Sequence, residues 1–271
     1  MVPRLVAIDL DGTLLPRSKE VTPRARRAVR ALAAAGTEVI LATGKSLHLA
    51  ERYAAELALA GPVIALDGGL VRDGGAAILS RVALPRETVA TAIDLLSSRE
   101  LHPFLVDGAD RLLIHEALAE QEWFLAVYAD RRAISAAPLS EAEGDPFFVS
   151  FRGRPDEVRR GMELLAPLAE AGWTVFDVHF LTFDASLLVV RPDTSKGVAL
   201  ALVAEHLSIP REAVAAVGDW RNDTEMIRWA GLGVAMPGSA RETIDAADLV
   251  LPTGCEDDGV AEWIEGMLAS G

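Results

Sequence analysis

The stretch that most constrains this chain is Arg4 to Leu15, RLVAIDLDGTLL. Leu5 to Ile8 is a short apolar run that reads as a buried strand, and it ends on an acid, Asp9, followed by Asp11, Gly12 and Thr13. In α/β folds the carboxyl ends of buried strands point into a crevice where ligands collect. Two carboxylates this close repel each other unless a cation or a shared proton holds them. Asp9 and Asp11 therefore point to a metal, to a nucleophile with a proton shuttle, or to both. The competing reading is an ordinary strand exit with acidic turn residues and a glycine bend.

The elements that follow suit a parallel sheet wrapped by helices. Thr22-Pro23 opens a helix that Gly36 stops, with Ala25, Ala28, Val29 and Leu32 forming its apolar stripe. Glu38 to Ala42 reads as a second strand ending in Thr43-Gly44-Lys45, a helix runs to Ala60, and Pro62 to Leu66 is a third strand ending at Asp67-Gly68-Gly69. The rhythm then changes. A hairpin-like excursion spans Val71 to Val82, and helices over 86–98, 116–129 and 155–171 alternate with strands at 104–106, 112–114, 147–151 and 174–190. This order fits an antiparallel sheet backed by helices, inserted at 83–185 into a Rossmann-like core formed by 1–82 and 186–271. The core resumes with a strand at Ser186 to Val190, a helix from Lys196 to His206 and a strand at Val214 to Val217 ending in Gly218-Asp219. A helix from Thr224 to Ala230, a strand from Gly233 to Met236, a helix after Ser239 and a C-terminal helix from Asp258 complete it. The expected fold class is α/β, a parallel-sheet core with an inserted α+β domain.

Charge and composition narrow the partners. A formal net charge of -14 and the lack of a basic run with interleaved aromatics argue against nucleic acid. No apolar run approaches the roughly 18 residues that cross a bilayer, so no membrane partner is expected. The catalytic-looking strand stands where a signal peptide's apolar region would be, and the single Cys255 agrees with a reducing, cytoplasmic setting. His48, His102, His115, His179 and His206 show no metal-ligand spacing and read as packed or surface imidazoles. Of the 26 Lys and Arg residues only three are lysines, namely Lys19, Lys45 and Lys196. Lys45 and Lys196 sit in motif-like strings, where an ammonium acts as a point charge on phosphate.

Three further strings carry chemistry. In LATGKS, Leu41 to Ser46, a Thr hydroxyl and backbone N–H groups at a strand end suit phosphate oxygens, and the glycine spacing of a nucleotide P-loop is missing. In Asp193-Thr194-Ser195-Lys196-Gly197 a helix cap is followed by a lysine in the first turn, where the helix dipole disfavours a cation that lacks an anionic partner. In GDWRNDTEM, Gly218 to Met226, Asp219, Asn222 and Asp223 follow an apolar strand and offer oxygen ligands for a hard cation.

Taken together with DLDGTLL, these strings resemble the four motifs of the haloacid dehalogenase superfamily of phosphatases. The insert between the second and third motifs, with VAMPGSA and EDDGVAEWI, is similar to the Cof-type subgroup with a large α/β cap. The resemblance implies Asp9 as the nucleophile on phosphorus and Asp11 as general acid/base. It implies Thr43, Gly44, Lys196 and Asn222 at the substrate phosphate, and Mg²⁺ held by Asp9, the Asp11 backbone carbonyl and Asp219. Gly12, Asp223 and Lys45 take supporting roles. Lys45 stands where the subgroup usually has Arg, Asp67 where it commonly has Asn, and Pro237-Gly238 replaces its usual turn. An extra carboxylate at Asp67 would repel phosphate unless it is paired.

The expected function is Mg²⁺-dependent hydrolysis of a small phosphorylated metabolite, such as a sugar phosphate, through an aspartyl-phosphate. A domain spliced between the Thr43 loop and Lys196 leaves and re-enters the core beside the crevice, which predicts a lid that admits small substrates. A phosphosugar mutase would use the same residues. A receiver-like phospho-aspartate module would need neither Asp11 as a shuttle nor the insert, and a relic site is a further alternative. A monomer or small homo-oligomer is expected.

Overall fold

The structure, a computed structural model, describes residues 2–75, 77–120, 134–135, 141–181 and 184–270. The chain divides into two compact units, Met1–Arg81 with Thr194–Gly271, and Val82–Asp193.

In the first unit eight described strands form one sheet, in the order Leu249–Val250, Leu232–Ala235, Val214–Gly218, Leu5–Ile8, Glu38–Ala42, Val63–Ala65, Leu70–Arg72 and Ile78–Arg81. The first six run parallel, and the last two add antiparallel at one edge. Leu5–Ile8 lies in the middle and is buried throughout, as a parallel strand covered by helices on both faces must be. On one face Leu5, Ala7, Ile40, Ile64, Val214 and Ala216 pack with Leu200 and Val203 of the helix Lys196–His206. The helix Pro23–Ala34 buries the expected Ala25, Ala28, Val29 and Leu32, and Thr22 caps it by accepting the Ala25 N–H at 3.0 Å.

Register explains why the site forms where it does. Ile8 pairs with both Leu41 and Val217, and Leu41 pairs with Val63, so these strands end in step. Adjacent strands sit about 4.8 Å apart. The residues just past their carboxyl ends, Asp9, Thr43, Asp67 and Asp219, therefore line up along one edge of the sheet.

The second unit holds a sheet in the order Thr174–Leu181, Asp184–Val190, Phe148–Gly153, His102–Val106, Leu112–Ile114 and Ile134–Ser135, antiparallel except at the last pair. Its core includes Leu96, Leu105, Val149, Phe151, Leu165 and Leu187. The expectation that Ser186 to Val190 re-enters the first sheet is corrected. Those residues pair antiparallel with both Phe148–Gly153 and Thr174–Leu181, so the chain returns to the first unit only at Thr194. The helix expected over 155–171 is two, Pro155–Leu164 and Ala166–Glu170. Pro167 has no N–H to continue an α-helix and starts a new turn instead. The helix expected over 116–129 is seen at Glu116–Ala119, and residues 121–129 lie outside the described ones. Leu249–Val250, too short to carry a pattern, was not foreseen. Among the described residues no helix is long and apolar enough to cross a membrane.

Candidate active site

Lys196 opens the helix Lys196–His206, yet it is fully buried. A buried ammonium must be paired and hydrogen-bonded. Its Nζ donates to Asp9 Oδ1 at 2.7 Å and to Asp223 Oδ1 at 2.6 Å, and lies 3.9 Å from Asp67 Oδ1. Ser195 caps the helix by accepting the Val198 N–H at 3.1 Å, so Lys196 is free to turn inward. Burial alone would lower its pKa, but Asp223, Asp9 and Asp67 outweigh burial and raise it, so the lysine stays charged.

Around this lysine the acids take different duties. Asp223 uses Oδ1 for Lys196 and accepts the Asp219 and Trp220 N–H groups on Oδ2, each at 3.0 Å, which folds the 219–223 turn around itself. Asp219 accepts the Thr13 hydroxyl at 3.1 Å. Burial, then Asp223, pushes its carboxyl up to about 6. The Asp9 carboxyl is raised well above its usual value by burial first, then by Asp223 and Asp219, with Lys196 acting against them. Asp9, Asp219 and Asp223 bring ligand oxygens within 4.8 Å of one another.

This donor set fits a hard divalent cation, being all oxygen and carrying carboxylates whose mutual repulsion a cation would relieve. Asp223 has both oxygens engaged by the protein, which leaves Asp9 and Asp219 as the side chains best suited to hold an ion. The Asp11 side chain is turned away to two lysines. Gly12 enforces the approach of the Asp9–Thr13 turn to Asp219, since at its φ of 85° a β-carbon would stand 2.4 Å from Asp219 Oδ2.

Asp11 lies at the rim, with its side chain 39% exposed. Lys19 Nζ meets its Oδ1 at 2.6 Å and Lys45 Nζ its Oδ2 at 2.7 Å. Burial works to raise this carboxyl, but Lys45 and Lys19 prevail and hold it below its usual value. Lys45, expected as a charge on phosphate, is thus on Asp11. Thr43 is buried, its hydroxyl accepts the Lys45 N–H at 3.2 Å, and its carbonyl accepts from the Asp67 N–H at 3.1 Å.

Asp67, expected to repel a phosphate unless paired, has Lys196 Nζ 3.9 Å from its Oδ1. Its Oδ1 accepts the Asn222 amide at 2.7 Å, and its carboxylate lies over Gly44, 3.1 Å from where a β-carbon there would stand. Leu66, Asp67 and Gly68 follow one another in the left-handed region, at φ 53°, 54° and 97°. At Gly68 a β-carbon would lie 2.3 Å from the Ser195 carbonyl, which is how closely this loop approaches the start of the lysine helix. Such backbone persists only where the surroundings hold it, and it clusters at functional sites.

Asp9, Lys196, Asp219, Asn222 and Asp223 therefore converge, with Thr43 and Gly44 joined to them through Asp67, while Asp11 and Lys45 form a second cluster. Thr13, Lys19 and Asp67 belong to the site although sequence reasoning assigned them no role. The rarity of lysine was a usable signal for Lys19. Of the histidines in the second unit, His102 and His115 stack on each other with centroids 5.2 Å apart.

Comparison with known proteins agrees with this geometry. The profile of the haloacid dehalogenase-like hydrolases matches residues 6–264. The chain is 29% identical to Phosphatase YwpJ of Bacillus subtilis, over 98% of this chain and 100% of that one. It is 25% identical to the 5-amino-6-(5-phospho-D-ribitylamino)uracil phosphatase YitU of the same organism, over 97% of each chain. The crystal structure of a haloacid dehalogenase-like hydrolase from Bacteroides thetaiotaomicron superposes with a TM-score of 0.85 at 25% identity, covering 98% of this chain and 99% of that one. With its motifs gathered at the ends of one parallel sheet, the chain belongs to the haloacid dehalogenase-like hydrolases and is a phosphatase of that type.

Proposed function

We propose that the protein hydrolyses phosphate monoesters of small metabolites, sugar phosphates foremost, with Mg²⁺ as cofactor and Asp9 as nucleophile. The observation that carries this reading is that Asp9 and Asp11 sit in opposite environments. One is buried against Lys196 and two further acids, and the other is held at the rim by two lysines. Asp9 lies fixed on the buried ammonium at the strand end, and Asp11 lies at the rim within reach of a leaving group and of water, so the two suit different roles.

Asp9 attacks phosphorus, the ester oxygen departs, and an aspartyl-phosphate forms. Asp11 gives its proton to the departing alkoxide and then takes one from the water that cleaves the Asp9–phosphorus bond. In the structure Asp11 is held ionised, the state that suits the second step. An incoming ester brings negative charge beside it and competes for Lys45, which favours the protonated state needed for the first step. Lys196 offsets charge at Asp9, and the Thr43 hydroxyl and Gly44 N–H would bind phosphoryl oxygens. Asp9 and Asp219, with the Asp11 carbonyl, would hold Mg²⁺, which when bound supplies neutralisation of the phosphoryl charge.

The choice among small esters is proposed to lie in the inserted unit, since the chain reaches Lys196 only after completing it. The test is release of inorganic phosphate from a panel of phosphorylated metabolites, including the ester for which YitU is named. Hydrolysis of small esters that EDTA abolishes and Mg²⁺ restores is expected. Preference for a phosphoprotein, full activity after exhaustive chelation, or isomerised sugar phosphate without free phosphate would contradict the reading.

A further inference from the structure

All three lysines of this Arg-rich chain end on acids of the site: Lys196 on Asp9 and Asp223, and Lys45 and Lys19 on Asp11. Lys19 lies outside every motif described above, yet its placement is built. Its backbone sits in the left-handed region at φ 60°, unusual for a residue with a side chain. Its N–H donates to the Pro16 carbonyl at 2.9 Å, closing a turn, and its carbonyl accepts the Tyr53 hydroxyl, also at 2.9 Å. Tyr53 is buried on the helix Leu47–Leu57, the helix into which the Thr43–Ser46 loop runs. One helix thus anchors Lys19 directly and continues from the loop that carries Lys45. The two ammonium groups grip opposite oxygens of one carboxylate.

When an incoming ester draws Lys45 from Oδ2, Lys19 still holds Oδ1 and so keeps the direction of the carboxyl, which without Lys19 would swing freely about its last torsion. Proton transfer in a transition state depends on that direction. We infer that Lys19 is a positioning residue for proton transfer, holding the Asp11 carboxyl in the orientation from which it exchanges a proton with the leaving group. This inference rests on the acid/base reading of Asp11 given above. Lys19 touches neither substrate nor cofactor in this role. A plain surface ion pair would have the same contact distance and almost no effect on rate.

The experiment measures kcat and KM of Lys19→Met, Lys19→Gly and Lys19→Arg on 4-nitrophenyl phosphate, whose leaving group needs no proton, and on a sugar phosphate, whose leaving group does. Asp11→Asn serves as the reference. Lys19→Gly suits the left-handed backbone and removes only the side chain, so it separates the ammonium from any role of the turn in folding. Lys19→Met and Lys19→Gly should each lower kcat on the sugar phosphate roughly tenfold, a fraction of the ~10²- to 10⁴-fold range for losing a general acid/base. The loss on the aryl ester should be under about threefold, KM should hold within about twofold, and Lys19→Arg should recover most of the rate. In the Asp11→Asn background Lys19→Met should cost nothing further. Parental kcat on the sugar phosphate, or equal losses on both esters, while Asp11→Asn discriminates between them, would overturn the inference alone. If Asp11→Asn fails to discriminate, the acid/base reading falls and this inference with it.

Discussion

The two lysine–carboxylate clusters of the site are built from the same chemistry and differ in depth. At the inner one Lys196 is fully buried between Asp9 and Asp223, and at the outer one Asp11 lies part-exposed between Lys19 and Lys45. Burial makes the inner cluster a strongly interacting unit, in which acids crowd one cation and the Asp9 and Asp219 carboxyls are raised. The outer cluster has two cations on one acid, which is lowered. Asp9 and Asp11, two residues apart at one strand exit, are thus shifted in opposite directions because the chain brings different partners to each. In the proposed mechanism the inner cluster balances charge for attack on phosphorus, and the outer trades a proton with solvent.

Removing the proposed nucleophile of the inner cluster should have the largest effect. Asp9→Asn is nearly isosteric and should abolish turnover with the fold retained by circular dichroism; near-normal hydrolysis would end the mechanism. At the outer cluster Asp11→Asn should slow turnover by ~10²- to 10⁴-fold, least for aryl esters. An equal loss for aryl and alkyl esters would remove the functional difference between the clusters.

Depth should also appear in stability. Lys196→Met leaves buried acids without their cation and should destabilise the protein by about 3–5 kcal/mol in denaturant unfolding. Lys45→Met, at a pair with an exposed partner, should cost about 1 kcal/mol or less. Similar losses would show that burial does not distinguish them.

The smallest effect concerns pH. Asp219 has its carboxyl raised from 3.8 to about 6 in the folded protein, so its contribution to stability without metal is full below about pH 4 and is lost as pH rises through 6. Mg²⁺ requires the ionised carboxylate. The rise in Tm that Mg²⁺ produces should therefore grow between about pH 5 and pH 7. A rise as large at the lower pH would mean that Asp219 does not hold the ion.

How far the sequence disclosed this arrangement follows from how local each signal was. Leu5–Ile8, Glu38–Ala42 and Val214–Gly218 were legible because each is a short apolar run closed by an acid, threonine or glycine, and the residues at their ends, Asp9, Thr43 and Asp219, were legible with them. Lys196 was anomalous at a helix start, and the anomaly was informative. What escaped was pairing at a distance. The apolar run Leu187–Val190 suits one sheet as well as the other, and only the partners of its strand at Phe148–Gly153 and Thr174–Leu181 assign it. Asp67 looked like an unpaired charge because nothing local announces the Lys196 ammonium beside it or its bond to Asn222, 155 residues later in the chain. Lys19 stood out only by the rarity of lysine, since its place depends on Tyr53 and on the turn that brings it back to Asp11.

The central claim is that Asp9 becomes covalently phosphorylated. It is tested most directly by mixing stoichiometric enzyme and substrate with Mg²⁺, quenching within one turnover and reducing with borohydride, which converts an acyl phosphate to the alcohol. The account predicts homoserine at position 9, found by peptide mass spectrometry, and its absence from the Asp9→Asn variant and from enzyme treated without substrate. Full release of phosphate with position 9 unmodified at every quench time, or reduction at another carboxylate, would contradict it.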